Sequence, residues 1–282
     1  MIHKLRTLCF SNSTHVWEQA MCLLFVAYQA NPRFPLIVAA NRDEFYARPT
    51  QPLTQWPERP RIYAGRDLQE GGTWMGATTN GRFAAVTNHR SGPREAAQLS
   101  RGALVRSFLE SELSVGDFAA ALEPTSQSYG GFNLMMLAGS TLAYFSNRKE
   151  PQYQRLTPGV YGLSNGLLNT PWPKLTAGKR RFISAMTEPN QDELWALLAD
   201  DAAAPDYLLP DTGVGVEAER LLSSAFITSK DYGTRSSTLL LHDASGVTQM
   251  WEKTFEKGVY QSEVSLSFPS PLAAPAVAGS DT

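Results

Sequence analysis

The chain has 282 residues, 43% of them hydrophobic and 18% charged, with a formal net charge of −2. That balance fits a globular protein with a full apolar core, in one large domain or two small ones, that needs no staples. No stretch concentrates Lys and Arg as a nucleic-acid footprint would, and no apolar run approaches the roughly 20 residues of a membrane span, so nucleic-acid partners and integral membrane association are excluded. Cys9 and Cys22 are too few for a disulfide scaffold and lack Cys-x-x-Cys spacing, which favours a reducing, cytoplasmic setting. His3, His15, His89 and His242 are scattered, so neither a metal nor another cofactor is expected.

Residues 1–20 pass from Lys4 and Arg6 into Ser11-Asn12-Ser13-Thr14-His15, which supplies no apolar core for a secretory signal; they read as a non-core extension. Residues 22–28 and 36–40 are continuous apolar runs joined through Asn31-Pro32-Arg33, which predicts a hairpin buried on both faces. Residues 74–78 and 83–88 flank Asn80-Gly81, the signature of a second hairpin closed by a type I′ turn. Helical spacing follows over 99–122, with Leu104, Val105, Phe108 and Leu109 on one side and a break near Gly116. Strands are expected at 132–138, 142–146 and 161–164, helices at 174–186 and 192–199, and strands again at 226–229, 237–242, 247–251 and 264–268. Residues 269–282, rich in Pro, Ala and Ser, read as a disordered tail. Hairpin groups separated by helix pairs argue for layered α+β architecture with two antiparallel sheets between helical layers, as a single domain over 21–268.

The chemistry-bearing feature is Cys22, directly behind Met21. One trimming event would expose it with a free α-amine, of pKa about 7.7–8.0, beside a thiol of about 8.5, so that one residue supplies base and nucleophile. The next strand ends in Asn41-Arg42-Asp43-Glu44. On a regular strand Asn41 and Asp43 share one face and Arg42 and Glu44 the other, so both of the adjacent pair Arg42 and Asp43 reach Cys22 only if the strand breaks or bulges. Four further polar clusters punctuate strand ends: Glu70-Gly71-Gly72-Thr73-Trp74-Met75-Gly76, Thr87-Asn88, Gly162-Leu163-Ser164-Asn165 and Tyr232-Gly233-Thr234-Arg235. Gly71 and Gly72 suit an unusual turn, with Trp74 filling the core beneath it.

With the Met-Cys start, Asn41-Arg42-Asp43-Glu44, Glu70-Gly71-Gly72-Thr73-Trp74, Gly131-Phe132-Asn133-Leu134 and Thr170-Pro171-Trp172 in this order, the sequence resembles the NRDE family, also called the transport and Golgi organization protein 2 family, from Met21 to about Phe268. That family is remotely similar to N-terminal-nucleophile hydrolases such as choloylglycine hydrolase and penicillin V acylase, which implies a four-layer αββα sandwich. In those enzymes a cysteine after the initiator methionine is the nucleophile, an Arg and an Asp on the next strand orient it, and later Asn residues and an Arg complete the site. The resemblance points to Cys22, Arg42, Asp43, Asn88, Asn165 and Arg235.

Physically, Arg42 or Arg235 near Cys22 would favour thiolate, Asp43 would hold the α-amine, and Asn88 and Asn165 would offer donors to an oxyanion. Each has a structural alternative: Cys22 as a core residue, Arg42 and Asp43 as an ion pair, the two Asn as turn residues, Arg235 as a bridge between strand ends. Two function classes follow. One is an N-terminal-cysteine hydrolase of amides or thioesters, with translation starting at Met21 or the extension removed. The other is a non-enzymatic carrier of a small acyl or haem-like ligand, with His89 or Cys22 as candidate axial ligand.

Overall fold

The computed structural model describes residues 21–90 and 97–271; residues 1–20 and 272–282, where the extension and most of the tail were expected, lie outside the described residues. Thirteen strands form two wholly antiparallel sheets among those residues. The first sheet contains β1 (Met21–Tyr28), β2 (Leu36–Phe45), β10 (Gly159–Leu163), β11 (Tyr232–His242), β12 (Val247–Glu256) and β13 (Val259–Pro269), in the order β10-β1-β2-β11-β12-β13. The second runs in sequence order through β3 (Thr50–Trp56), β4 (Arg59–Asp67), β5 (Met75–Thr78), β6 (Arg82–Asn88), β7 (Phe132–Ala138), β8 (Thr141–Ser146) and β9 (Tyr153–Leu156).

Strand alternation sorts the apolar residues into three layers of core. Leu24, Val26, Leu36 and Val38 of the first sheet meet Met75, Phe83, Met135, Leu137 and Tyr144 of the second, filling the space between sheets. The opposite face of the first sheet, with Leu23, Phe25, Ile37 and Ala39, packs under α3 (Pro173–Ala185) and α4 (Gln191–Leu198) through Phe182, Leu194 and Leu197. The outer face of the second, with Ala84, Leu134 and Phe145, packs under α1 (Arg101–Glu110) and α2 (Val115–Leu122) through Leu104, Phe108 and Ala119. The architecture is an α+β sandwich of two antiparallel sheets between helical layers. A short helix α5 (Val216–Leu221) covers one end of the first sheet.

Several local expectations are corrected. The hairpin at Asn80-Gly81 is not type I′: Gly81 alone takes positive φ (77°), and its N–H donates to the Thr78 carbonyl. That is a three-residue loop whose left-handed residue is the glycine. The helix break falls at residues 111–114, where Ser114 caps α2 by accepting from the Asp117 N–H, and Gly116 lies inside the helix. Residues 226–229 form no strand, because the Phe226 N–H goes to the Asp200 carbonyl and the Ile227 N–H to the Thr234 hydroxyl. Pro269 closes β13 and Ser270 is buried with its hydroxyl on the Thr78 carbonyl, so the sheet continues into the stretch read as tail. Strands β3, β4 and β9 had no sequence signal. The edge strand β3 carries Pro52 and two register irregularities, which erase the alternation that marks a strand.

Candidate functional site

At one end of the sandwich β1 begins, β2 and β6 end, and Met21-Cys22 pairs in antiparallel register with Asp43-Arg42. The alternation of β2 continues unbroken through the tetrapeptide and assigns its four side chains. Asn41 and Asp43 point to the helical layer, Arg42 and Glu44 to the space between sheets where Cys22 also points. The anticipated bulge exists on the neighbouring strand instead: the register of β11 against β2 shifts between Thr234 and Ser236, leaving Arg235 as the extra residue.

Cys22 and Arg42 open onto a cavity of about 710 Å³, lined also by Glu44, Arg48, Asp67, Trp74 and Asn88 and by the start of α1. The Arg42 guanidinium lies 4.3 Å from the Trp74 ring centroid, donates to the Thr50 hydroxyl at 3.3 Å and sits 3.7 Å from the Glu44 carboxylate. Arg48 pairs with Asp67 at 2.6 Å and with Glu44 at 3.7 Å, so most of the formal charge on the wall is paired. Trp74 packs against the core between the sheets, as expected, and also forms a wall of the cavity. What the glycines before it permit is contact with α1: a Cβ at Gly72 would collide with the Gly102 backbone, and the Thr73 N–H donates to the Gly102 carbonyl.

The Cys22 thiol differs from expectation. Burial, then the Asp43 and Glu44 carboxylates, outweigh Arg42 and push its pKa up to about 12, although the Asp43 backbone N–H also donates to the sulfur. With Met21 still attached, Cys22 is a protonated thiol at neutral pH.

Asp43 is fully buried on the opposite face of the sheet. Its Oδ1 accepts from the Thr234 hydroxyl at 2.7 Å, while Oδ2 has no hydrogen-bond partner. Burial raises its pKa to about 6 against the opposing pull of Lys174, Thr234 and Arg42. Lys174, in the first turn of α3, is buried with its Nζ unpartnered, and burial pushes it down to about 8 despite Asp43.

Asn88, Asn165 and Arg235 divide differently. Asn88 lines the cavity. Asn165 is fully buried; its Nδ2 donates to the Asn88 carbonyl at 2.9 Å, and its own carbonyl accepts from the Arg90 N–H at 2.7 Å. Ser164 before it donates to the Cys22 carbonyl at 3.0 Å, and the Thr87 hydroxyl donates to the Ser164 carbonyl at 2.7 Å. The Leu-Ser-Asn segment thus ties the start of β1 to the end of β6 and fixes Cys22 against Asn88 across the two sheets. Arg235 Nη1 donates to the carbonyls of Phe45, Tyr46 and Arg48, holding the turn that carries Arg48. His89 does not line the cavity: its Nδ1 is buried without a partner, and burial with Arg148 nearby lowers its pKa. Among the described residues no group of three or more His, Cys, Asp or Glu is placed to hold a metal, and no helix is long and apolar enough to cross a membrane.

The family model described as Transport and Golgi organisation 2 matches residues 21–257. The chain belongs to this family. It is 36% identical over 257 residues to the Transport and Golgi organization protein 2 homolog of Homo sapiens, covering 83% of this chain and 93% of the relative. The Mus musculus homolog is 34% identical over 256 residues, with the same coverage of both chains. The Drosophila melanogaster protein is 27% identical over 260 residues, 83% of this chain and 92% of its own.

Within this member of the Transport and Golgi organisation 2 family, sequence reasoning missed Lys174, Arg48, Asp67 and Arg90 around the site. Arg90 is buried, pairs with Glu219 at 2.9 Å and lies 4.9 Å from the Trp172 ring centroid. A lysine in an amphipathic helical pattern reads as a solvated face, so only its burial could have singled it out.

Proposed function

We propose that the form of this protein whose first residue is Cys22 is a cysteine acyl-transfer hydrolase acting on an amide or thioester, in a reducing, cytoplasmic setting. The observation that carries this reading is the unpartnered Oδ2 of Asp43, a buried carboxylate oxygen on the residue directly across the sheet from Met21. A buried carboxylate oxygen without a donor is costly, and an α-ammonium at Cys22 is a donor chemically suited to it. In the reaction the Cys22 thiol proton passes to the α-amine as sulfur bonds to the substrate carbonyl carbon. The α-ammonium returns that proton to the amine or thiol that leaves, and a thioester remains on Cys22. Water then attacks the thioester, its proton goes to the α-amine, and release of the acid restores the thiol. Asn88 on the cavity wall is the candidate oxyanion donor, Arg42 on Trp74 the candidate substrate clamp, and Asn165 and Arg235 hold the frame.

The chain with Met21 attached favours a second reading, since an acylated nitrogen is no base and a thiol near 12 is no nucleophile. In that state the cavity binds a small acyl or haem-like ligand without turning it over. Intact-mass and N-terminal peptide analysis, combined with acyl-enzyme trapping on a panel of N-acyl amino acids and acyl thioesters, separates the two. An acyl adduct on a first-position Cys22 is the expected result; turnover by a preparation that retains Met21 would sink the mechanism.

A further inference from the structure

Lys174 is hard to explain as a structural residue. It is 6% exposed, its Nζ has no hydrogen-bond partner, and it lies in the first turn of α3, where the helix dipole disfavours a cation. Methionine would fill the same volume without charge. The charged and titratable groups that act on its ammonium are Asp43 on β2, Cys22 on β1, Arg90 after β6 and Glu219 on α5. Glu219 accepts from the Thr212 N–H and hydroxyl on Oε1, and its Oε2, without a hydrogen bond, lies 2.9 Å from the Arg90 guanidinium as an ion pair. Asp43 accepts from the Thr234 hydroxyl and feels the charges of Arg42 and Glu44 from the other face of the strand, yet retains a carboxylate oxygen with no donor. Asp43, paired in register with Met21, and Lys174 are thus buried groups of opposite charge that each keep an atom without a hydrogen-bond partner.

We infer that Lys174 is a positioning residue of this site, a buried cation that shares the Asp43 carboxylate with the α-amine of Cys22 and thereby leaves that amine free as a base at neutral pH. The inference rests on the hydrolase reading above. With Cys22 first, two ammonium groups and one carboxylate occupy the pocket. Like charges in a poorly solvated space disfavour one another, so the amine and thiol of Cys22 together give up their first proton at lower pH than if Asp43 had the α-ammonium to itself. In the chain with Met21 attached, burial pushes Lys174 down to about 8, which leaves it cationic at neutral pH.

The test needs no substrate. In the full chain, a site-specific protease sequence ahead of position 22 releases the protein with Cys22 first, verified by mass spectrometry, and iodoacetamide alkylation of Cys22 is followed from about pH 5.5 to 9.5. Lys174→Met is expected to move the midpoint up by about one pH unit, a roughly tenfold slower alkylation near pH 6.5. Lys174→Arg, which keeps the cation, is expected to hold the wild-type midpoint, and urea unfolding of each variant verifies its fold. Superimposed wild-type and Lys174→Met profiles, with both proteins folded, would overturn the inference while leaving the hydrolase reading intact. If trimmed and untrimmed wild-type proteins share one profile, the α-amine plays no part, and the hydrolase reading fails first.

Discussion

Asn41→Ala isolates the structural half of the tetrapeptide. Asn41 is 1% exposed; its Nδ2 donates at 2.8 Å to the carbonyls of Leu198 and Ala225, and its Oδ1 accepts from the Ser237 hydroxyl at 2.6 Å. The Leu198 carbonyl belongs to the last turn of α4, so the side chain fastens that helix and the 225 segment to β2. Alanine leaves three buried polar groups without partners. At about 1–3 kcal/mol each, reduced by partial relaxation, the expected loss is about 3–5 kcal/mol, a large fraction of the stability of a typical domain. Urea unfolding followed by tryptophan fluorescence and circular dichroism measures it. Ser237→Ala should cost about 1–2 kcal/mol alone, and the double variant about 1 kcal/mol less than the sum, because the two side chains share one bond. A loss below 1 kcal/mol for Asn41→Ala would refute the reasoning, since it would mean that the freed carbonyls find other partners.

Two further predictions concern titration. Asp43 has a folded pKa near 6, above its ordinary 3.8, so its contribution to stability is fully present below about pH 4 and lost as pH rises to about 6. Lys174 at about 8, below its ordinary 10.5, is a penalty at neutral pH that is relieved as pH rises from about 8 to 10.5. Relative to wild type, Asp43→Asn should therefore flatten the stability curve over the acidic window and Lys174→Met over the alkaline one; measured by urea titration at each pH, a difference curve without slope in its window counts against that assignment. In the untrimmed chain, on a Cys9→Ala background, Cys22 should react with iodoacetamide at pH 7.5 on the order of 10³-fold more slowly than an unperturbed cysteine, as its thiolate fraction falls with a pKa near 12. Labelling at the rate of a free thiol would show that burial does not control this sulfur.

The amino-acid sequence by itself determined the elements whose side-chain period is written in apolar residues: β1, β2, β6, β7 and the buried faces of α1 to α4. It also determined how the tetrapeptide splits, because a strand of period two must send Arg42 and Asp43 to opposite faces wherever it lies. Edge strands β3 and β9 were not legible, since a short strand at the sheet edge carries little alternation, and in β3 two register shifts break it further. Only the tertiary structure decided what the site residues touch. Asn165 and Arg235 spend donors on backbone carbonyls of Asn88 and of residues 45–48, and Lys174, an ordinary helical lysine in sequence, is buried with its Nζ unpartnered. It also reversed the expected effect on Cys22: sequence places Arg42 nearby and argues for a thiolate, whereas burial and two carboxylates keep the proton on sulfur. Desolvation depends on the atoms packed around a group, and those come from chain segments too far apart in sequence for any local pattern to record.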